Sequence, residues 1–308
     1  MPLDATARVL IDAMEKTFPP LDPTMSGTEM RALVEQAGAT MERGGPPEPV
    51  TEVSDWTVPG PGGEIPVRIY RPAGPALATI VFFHGGGFVL CDLESHDGIC
   101  RALCNATPAV VIAVHYRRAP ESRYPAAVDD CYAVALWASQ HTRELNLPAR
   151  FAVVGDSAGG NLAASVALMA RDRGAPALAA QVLVYPMLDS RGDTASHRET
   201  GDAYYLRHEE VMYYWGQYLA DSSQAGEPYA APSFAADLTG LAPALIATAE
   251  YDPLRDEGEE YADRLAAAGV STVKHRYDGM FHSFFTFLGV LPAATELRDE
   301  IAAFLREA

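Results

Sequence analysis

The sequence predicts an α/β fold, a mostly parallel β-sheet covered on both faces by helices. Three observations carry that expectation. From Ala78 onward, short uninterrupted apolar runs alternate with longer helical segments, the pattern of strands buried on both faces. Two of the runs lead directly into glycine clusters, at 85–87 and 155–160, beyond the strand ends where open α/β sheets place their sites. The 308 residues are 48% hydrophobic and 21% charged, enough chain for one large α/β domain or two average ones.

The elements follow in order. Val9, Leu10 and Met14 give a first helix a weak apolar stripe, ended by Phe18-Pro19-Pro20 because proline cannot continue it. Ser26-Gly27-Thr28-Glu29 reads as a capping box opening a second helix through Met41, and Gly44-Gly45-Pro46-Pro47 is a linker. Glu52–Val58 and Ile65–Arg71 have strand character and flank a turn at Pro59–Gly63, which makes an antiparallel hairpin. The core strands are Thr79–Phe83, Ala109–Val114, Phe151–Val154, Gln181–Tyr185, Ala244–Thr248 and Thr272–Tyr277. The helices between and after them are Gly98–Ala106, Pro125–Gln140, Ala158–Arg171, Glu257–Ala268 and Ala293–Arg306. Between Pro186 and Pro243 nearly sixty residues carry no core strand. Asp202–Ala220 in that stretch reads as an aromatic helix with Tyr204, Tyr205, Tyr213, Tyr214, Trp215 and Tyr218, an insertion of the kind that forms lids or binding walls.

Composition excludes several function classes. A formal net charge of -18 repels phosphate backbones and anionic lipid heads, so no nucleic-acid partner is expected. No apolar run reaches the roughly 18–20 residues of a membrane span, and no amphipathic stretch reads as a lipid anchor. Met1 to Met14 carries Asp4, Arg8 and Asp12 and lacks the h-region of a secretory signal, so a cytoplasmic location is expected. Cys91, Cys100, Cys104 and Cys131 match no zinc or redox spacing and are expected as unpaired thiols. No cluster suggests a metal or cofactor, and none is expected.

The chemistry sits in three places. Gly155-Asp156-Ser157-Ala158-Gly159-Gly160 follows a buried strand and opens an alanine-rich helix. This is GxSxG in a strand–turn–helix setting, which lifts the Ser157 hydroxyl above the sheet edge and points helix N–H groups at any oxyanion formed there. His84-Gly85-Gly86-Gly87-Phe88 ends another core strand. Three successive glycines leave backbone N–H groups unobstructed, as an oxyanion hole requires. A serine nucleophile also needs a base and the base an orienting carboxylate. In the chain order Ser, acid, His, Asp252 and His282 fit, each beyond the end of a core strand. Asp256 and Asp278 are rival acids. His275 and His115 lie in or at strands, and His96, His141, His197 and His208 precede Asp252.

These residues identify a resemblance. HGGGF at 84–88, YRRAPE at 116–121, PAAVDD at 125–130, GDSAGGNLA at 155–163, YDPLRDEG at 251–258 and GMFHSF at 279–284 make the chain similar to the bacterial hormone-sensitive-lipase-like esterases of the α/β-hydrolase superfamily. The resemblance covers residue 50 to the end. It implies the α/β-hydrolase fold, with a mostly parallel eight-stranded sheet and a helical cap. Residues 1–45 and 187–230 would form that cap, over a catalytic core of 46–186 and 231–308. It implies Ser157, Asp252 and His282 as catalytic triad and the N–H groups of Gly86, Gly87 and Ala158 as oxyanion hole. It implies hydrolysis of short- to medium-chain carboxylic esters, small molecules being the partners, with homodimerisation through the edge of Thr272–Tyr277 left open. Phe88, Tyr185, Tyr205, Leu206 and Phe284 are candidate substrate-binding residues. Arg118, Ser283 and Tyr229-Ala230-Ala231-Pro232 depart from the family's pattern and put substrate preference in doubt. Two other readings stay open: a small-amide or carbamate hydrolase, and a non-catalytic ligand receptor on the same fold, against which the presence of His282 argues.

Overall fold

The computed structural model describes residues 2–39 and 47–308. The last two residues of the helix expected to run on to Met41, Thr40 and Met41, and Gly44-Gly45-Pro46 of the expected linker lie outside them. Eight strands form one sheet: β1 (Glu52–Gly60), β2 (Gly63–Arg71), β3 (Ala78–Phe83), β4 (Ala109–Val114), β5 (Phe151–Asp156), β6 (Ala180–Val184), β7 (Ala244–Tyr251) and β8 (Thr272–Phe281). Their spatial order is β1-β2-β4-β3-β5-β6-β7-β8. The β1–β2 hairpin is antiparallel and β2 meets β4 antiparallel, while every pairing from β4 to β8 is parallel.

Every residue of β3, β4, β5 and β6 is buried, which is why these strands read as continuous apolar runs without alternation. Alternate side chains still part to opposite faces. Val81, Phe83, Ile112 and Val153 pack with α4 (Ala126–Gln140), α5 (Ala158–Arg173) and α8 (Arg255–Ala267) on one face. Ile80, Phe82, Val111 and Val154 pack with α1 (Ala5–Thr17), α3 (Asp97–Ala106) and α9 (Pro292–Glu307) on the other. Helix α5 is buried over Ala158–Ala170 without a break, so its alanines and glycines reflect a helix enclosed all round.

The ends of the sheet differ from the sequence expectation in ways that matter for the site. β7 runs on to Tyr251 and β8 to Phe281, with a register irregularity between Ala249 and Tyr251. Asp252 and His282 therefore follow their strands immediately.

The N-terminal helices and the insertion pack together. The capping box at α2 (Gly27–Ala39) is present: the Ser26 N–H donates to Glu29 Oε2 at 2.9 Å and the Glu29 N–H to Ser26 Oγ at 3.3 Å. The Gly27 N–H donates to Gln217 Oε1 at 3.0 Å and the Tyr213 hydroxyl to the Met25 carbonyl at 3.1 Å. Arg31 donates to the Val89 carbonyl at 2.9 Å and pairs with Glu121. Within the insertion the structure has α6 (Ala195–Thr200) and α7 (His208–Tyr218). The single helix expected over Asp202–Ala220 is shorter because Tyr204 (φ 66°) and Tyr205 (φ 85°) hold left-handed backbone, which no α-helix continues. The four cysteines are unpaired. Among the described residues no helix is long and apolar enough to cross a membrane, and no group of three or more His, Cys, Asp or Glu could hold a metal ion.

Candidate active site

The turn from β5 into α5 is built by close backbone approach. A Cβ at Gly155 would lie 2.1 Å from the Gly159 carbonyl oxygen, and one at Gly159 only 2.0 Å from that of Phe83. No side chain fits either gap. Ser157 between them holds φ 56°, ψ -120°, a strained conformation for a non-glycine residue. Its N–H donates to the Val184 carbonyl at 2.8 Å. The side chain is thus held at the head of α5, where the helix dipole favours negative charge.

Asp252 and His282 reach the serine from two neighbouring strands. His282 Nε2 is 3.0 Å from Ser157 Oγ, and His282 Nδ1 is 2.7 Å from Asp252 Oδ2. Asp252 is fully buried, and its Oδ1 accepts the Leu254 N–H at 2.9 Å. With Nδ1–H donating to the carboxylate, Nε2 is left to accept the serine proton. Of the rival acids, Asp256 is taken up by Ser196 and Arg255, and Asp278 is an exposed residue of β8.

The glycine loop after β3 lies across from the serine. Gly86 (φ 104°) and Gly87 (φ 60°) hold left-handed backbone, and the Gly86 carbonyl accepts from the Val89 and Leu90 N–H groups, folding the loop into a tight turn. Among the described residues the N–H groups of Gly86, Gly87 and Ala158 donate to no protein acceptor, the condition for groups that receive an oxyanion. A Cβ at Gly87 would sit 2.3 Å from the Tyr214 ring, so the aromatic face of α7 closes directly over the loop.

The five candidate substrate-binding residues divide. Phe88 is fully buried, stacked on Tyr218 with ring centroids 3.7 Å apart, and joins α7 to the glycine loop. Tyr185 is buried beside the imidazole, 4.8 Å from the His282 ring, and Phe284 is buried behind Tyr185 and Tyr277. All three rings are buried among neighbouring side chains, as the triad residues themselves are. Tyr205, T-shaped against Phe281, and Leu206 are half-buried.

Sequence reasoning missed other buried polar groups. Asn161, fully buried, donates from Nδ2 to the Met187 carbonyl at 2.8 Å and the Ala230 carbonyl at 2.9 Å. It ties both ends of the insertion to α5. An amide in the first turn of a helix buried from Ala158 to Ala170 is its signal in the sequence. Glu257, also buried, accepts the Leu188 N–H at 2.6 Å and the Asp189 N–H at 3.2 Å, with His197 Nε2 3.5 Å away and His208 behind it.

Burial pushes the Glu257 carboxyl up to about 7, against the opposing pull of His197. The folded chain therefore binds more protons here than the unfolded chain between about pH 4.5 and 7. Stability from this site is complete below that window and lost as pH rises through it. Glu257→Gln keeps an acceptor for Leu188 and Asp189 without a titrating group. Thermal unfolding of both proteins from pH 4.5 to 8 is expected to show the variant gaining on the wild type up to about pH 7 and then levelling. A pH-independent difference would count against a raised Glu257.

Comparison with known proteins places the chain by family and fold. A family model described as alpha/beta hydrolase fold matches residues 80–286. A carboxylic ester hydrolase of Mycobacterium tuberculosis, LipN, is 40% identical over 293 residues, covering 92% of this chain and 76% of its own. An arylesterase of Saccharolobus solfataricus is 38% identical over 265 residues, 85% of each chain. The solved structure of a hyperthermophilic esterase from Pyrobaculum calidifontis superposes with a TM-score of 0.92 at 41% identity, covering 100% of this chain and 99% of that one.

Proposed function

The chain belongs to the α/β-hydrolase family, among the hormone-sensitive-lipase-like esterases, and on that premise we propose that it is a carboxylesterase working through Ser157, His282 and Asp252. One observation carries this reading: the unbroken relay from Ser157 Oγ through His282 to buried Asp252, at 3.0 and 2.7 Å, beside three N–H groups without acceptors among the described residues.

The chemistry follows from those positions. Ser157 Oγ attacks the ester carbonyl as His282 Nε2 takes its proton. Asp252 holds the imidazole in the Nδ1–H form and stabilises the imidazolium. The carbonyl oxygen becomes an oxyanion and is received by the N–H groups of Gly86, Gly87 and Ala158, donors of a kind worth about 3 kcal/mol each. The C–O bond to the alcohol breaks as His282 returns the proton to the leaving oxygen. Water then attacks the acyl-Ser157 ester by the same route, releasing the acid and restoring the serine.

The acyl group is short to medium. Ser157 is only 7% exposed. Tyr214 lies against Gly87, Tyr205 against Phe281, and Trp215 and Tyr218 against Phe88. The N-terminal helices and residues 187–230 act as the cap that carries this aromatic wall. Initial rates on p-nitrophenyl esters from acetate to palmitate test the proposal. The expected result is a maximum at short or medium chains, displaced to longer chains by Tyr214→Ala. Turnover confined to amides or carbamates, or no turnover on any chain, would defeat it.

A further inference from the structure

Asp156 is the last residue of β5, directly before the serine that does the chemistry, and its carboxylate is buried. Strands β3 and β5 pair in register as far as Phe83 and Gly155. Beyond that point the backbone ladder between them stops, because β3 ends at Phe83, while Asp156 still pairs on its other side with Val184. The link across the gap is then made by a side chain. Asp156 Oδ1 accepts the Gly85 N–H at 3.0 Å. A Cβ at Gly85 would lie 2.6 Å from Asp156 Oδ2, so the glycine is what lets the carboxylate come this near.

The carboxylate has a second partner. His96, buried at the head of α3, places Nε2 3.2 Å from Asp156 Oδ1 and 3.3 Å from Oδ2. Its Nδ1 is 2.9 Å from Ser95 Oγ, and that serine is bonded to the Asp92 backbone. The far end of Gly85 is held as well. His84 Nδ1 lies 2.8 Å from the Gly85 carbonyl, and His84 itself is stacked on Tyr116, whose hydroxyl donates to the His84 carbonyl at 2.8 Å. The N–H groups of Gly86 and Gly87 come one and two residues later. A buried carboxylate without partners is costly, so this placement requires both bonds.

We propose that Asp156, paired with His96, is a positioning residue that fixes the glycine loop at its working distance from the Ser157 turn. It touches neither substrate nor the reacting atoms. It sets where the Gly86 and Gly87 N–H groups stand relative to the oxyanion. A shift of about 1 Å in such groups can cost about 100-fold in rate. The proposal rests on the esterase reading above, in which those N–H groups receive the oxyanion.

The test compares Asp156→Asn, Asp156→Ala, His96→Ala and the Asp156→Ala/His96→Ala double variant in the full chain. Readouts are kcat and KM on p-nitrophenyl butyrate, the rate of inactivation by paraoxon, and Tm. Asparagine can still accept the Gly85 N–H while its amide donates to His96 Nε2 in the other tautomer, so Asp156→Asn should stay within about fivefold of wild type. Asp156→Ala loses the tie. Its kcat and its paraoxon rate should fall together by about 100-fold, with KM within about threefold. His96→Ala should fall by about 10-fold, and the double variant should be no slower than Asp156→Ala.

A folded Asp156→Ala with kcat and paraoxon rate within threefold of wild type would overturn the proposal. So would an Asp156→Asn as slow as Asp156→Ala, since charge and not the hydrogen bond would then be at issue. Should Asp156→Ala not fold, His96→Ala decides, and wild-type rates there overturn the proposal. The two readings fail differently. Wild-type protein that paraoxon does not label on Ser157 removes the esterase mechanism, whereas equal labelling of wild type and Asp156→Ala removes only the positioning role.

Discussion

Replacing Ser157 with alanine is expected to lower kcat on p-nitrophenyl butyrate by about six orders of magnitude, with KM and Tm nearly unchanged. The size of the loss follows from the geometry. Ser157 Oγ is 3.0 Å from His282 Nε2, and no other hydroxyl in the described residues stands in that position. Without the oxygen the imidazole has no nucleophile to activate. What remains is the electrostatic help of the N–H groups to a water attack, about 10³- to 10⁴-fold over the uncatalysed reaction. Stability should survive because the Oγ bonds only to His282 among the described residues, and alanine bears the same φ of 56°. His282→Ala should fall to a similar level, and the double variant should be no slower than either, since the two residues act as one unit. Activity of Ser157→Ala within 100-fold of wild type would exclude this serine as nucleophile. Additive losses would separate the serine from the histidine.

How far the sequence could be read depends on what each segment buries. Four of the six parallel strands were legible because β3 to β6 are buried throughout and almost wholly apolar, with Thr79, Asp156 and Gln181 their only polar side chains. The tail of β8 was not. It is an edge strand with exposed Val273–Arg276 and buried Tyr277, Met280 and Phe281, and Asp278-Gly279 inside it has the composition of a turn. The residues from Asp202 to Arg207, expected as helix, differ for a related reason. Their tyrosines suit a helix face, but Tyr204 and Tyr205 take up left-handed backbone against Tyr251 and Phe281, contacts that only the assembled fold supplies.

The site divides in the same way. Ser157, Asp252 and His282 could be placed because each follows a recognisable strand and the chemistry demands those three residue types in that order. The pocket could not. Whether Phe88 meets a ligand or a neighbour depends on Tyr218, 130 residues later, and Tyr185 is claimed by His282 and Phe284. Asp156 and Asn161 lay inside a quoted motif, yet their roles come from partners in other segments, Gly85 and Ala230. Local pattern reveals where a chain turns and which atoms could react; it does not reveal which side chain spends its surface on packing.

Asp252→Asn is expected to lower kcat by about 10⁴-fold while leaving the fold and KM close to wild type. The direction follows from the second bond of the carboxylate. Asp252 Oδ1 accepts the Leu254 N–H at 2.9 Å and Oδ2 faces His282 Nδ1 at 2.7 Å. An asparagine must keep its oxygen toward the Leu254 N–H, because Asp252 is fully buried and an amide NH₂ there would confront another donor. Its NH₂ is then turned on His282 Nδ1, which must accept. The ring proton moves to Nε2, the nitrogen 3.0 Å from Ser157 Oγ. A protonated Nε2 cannot take the serine proton, so the nucleophile is lost although every heavy atom is in place. The measurement is kcat on p-nitrophenyl butyrate with paraoxon labelling in parallel, and both should fall while Tm moves by a few degrees at most. Loss of less than about 10-fold in a folded variant would assign the orienting role to another acid. Asp256 is the first to examine, since it lies four residues away at the start of α8 but is engaged with Ser196 and Arg255. A loss confined to KM would mean that Asp252 shapes the pocket and does not orient the imidazole.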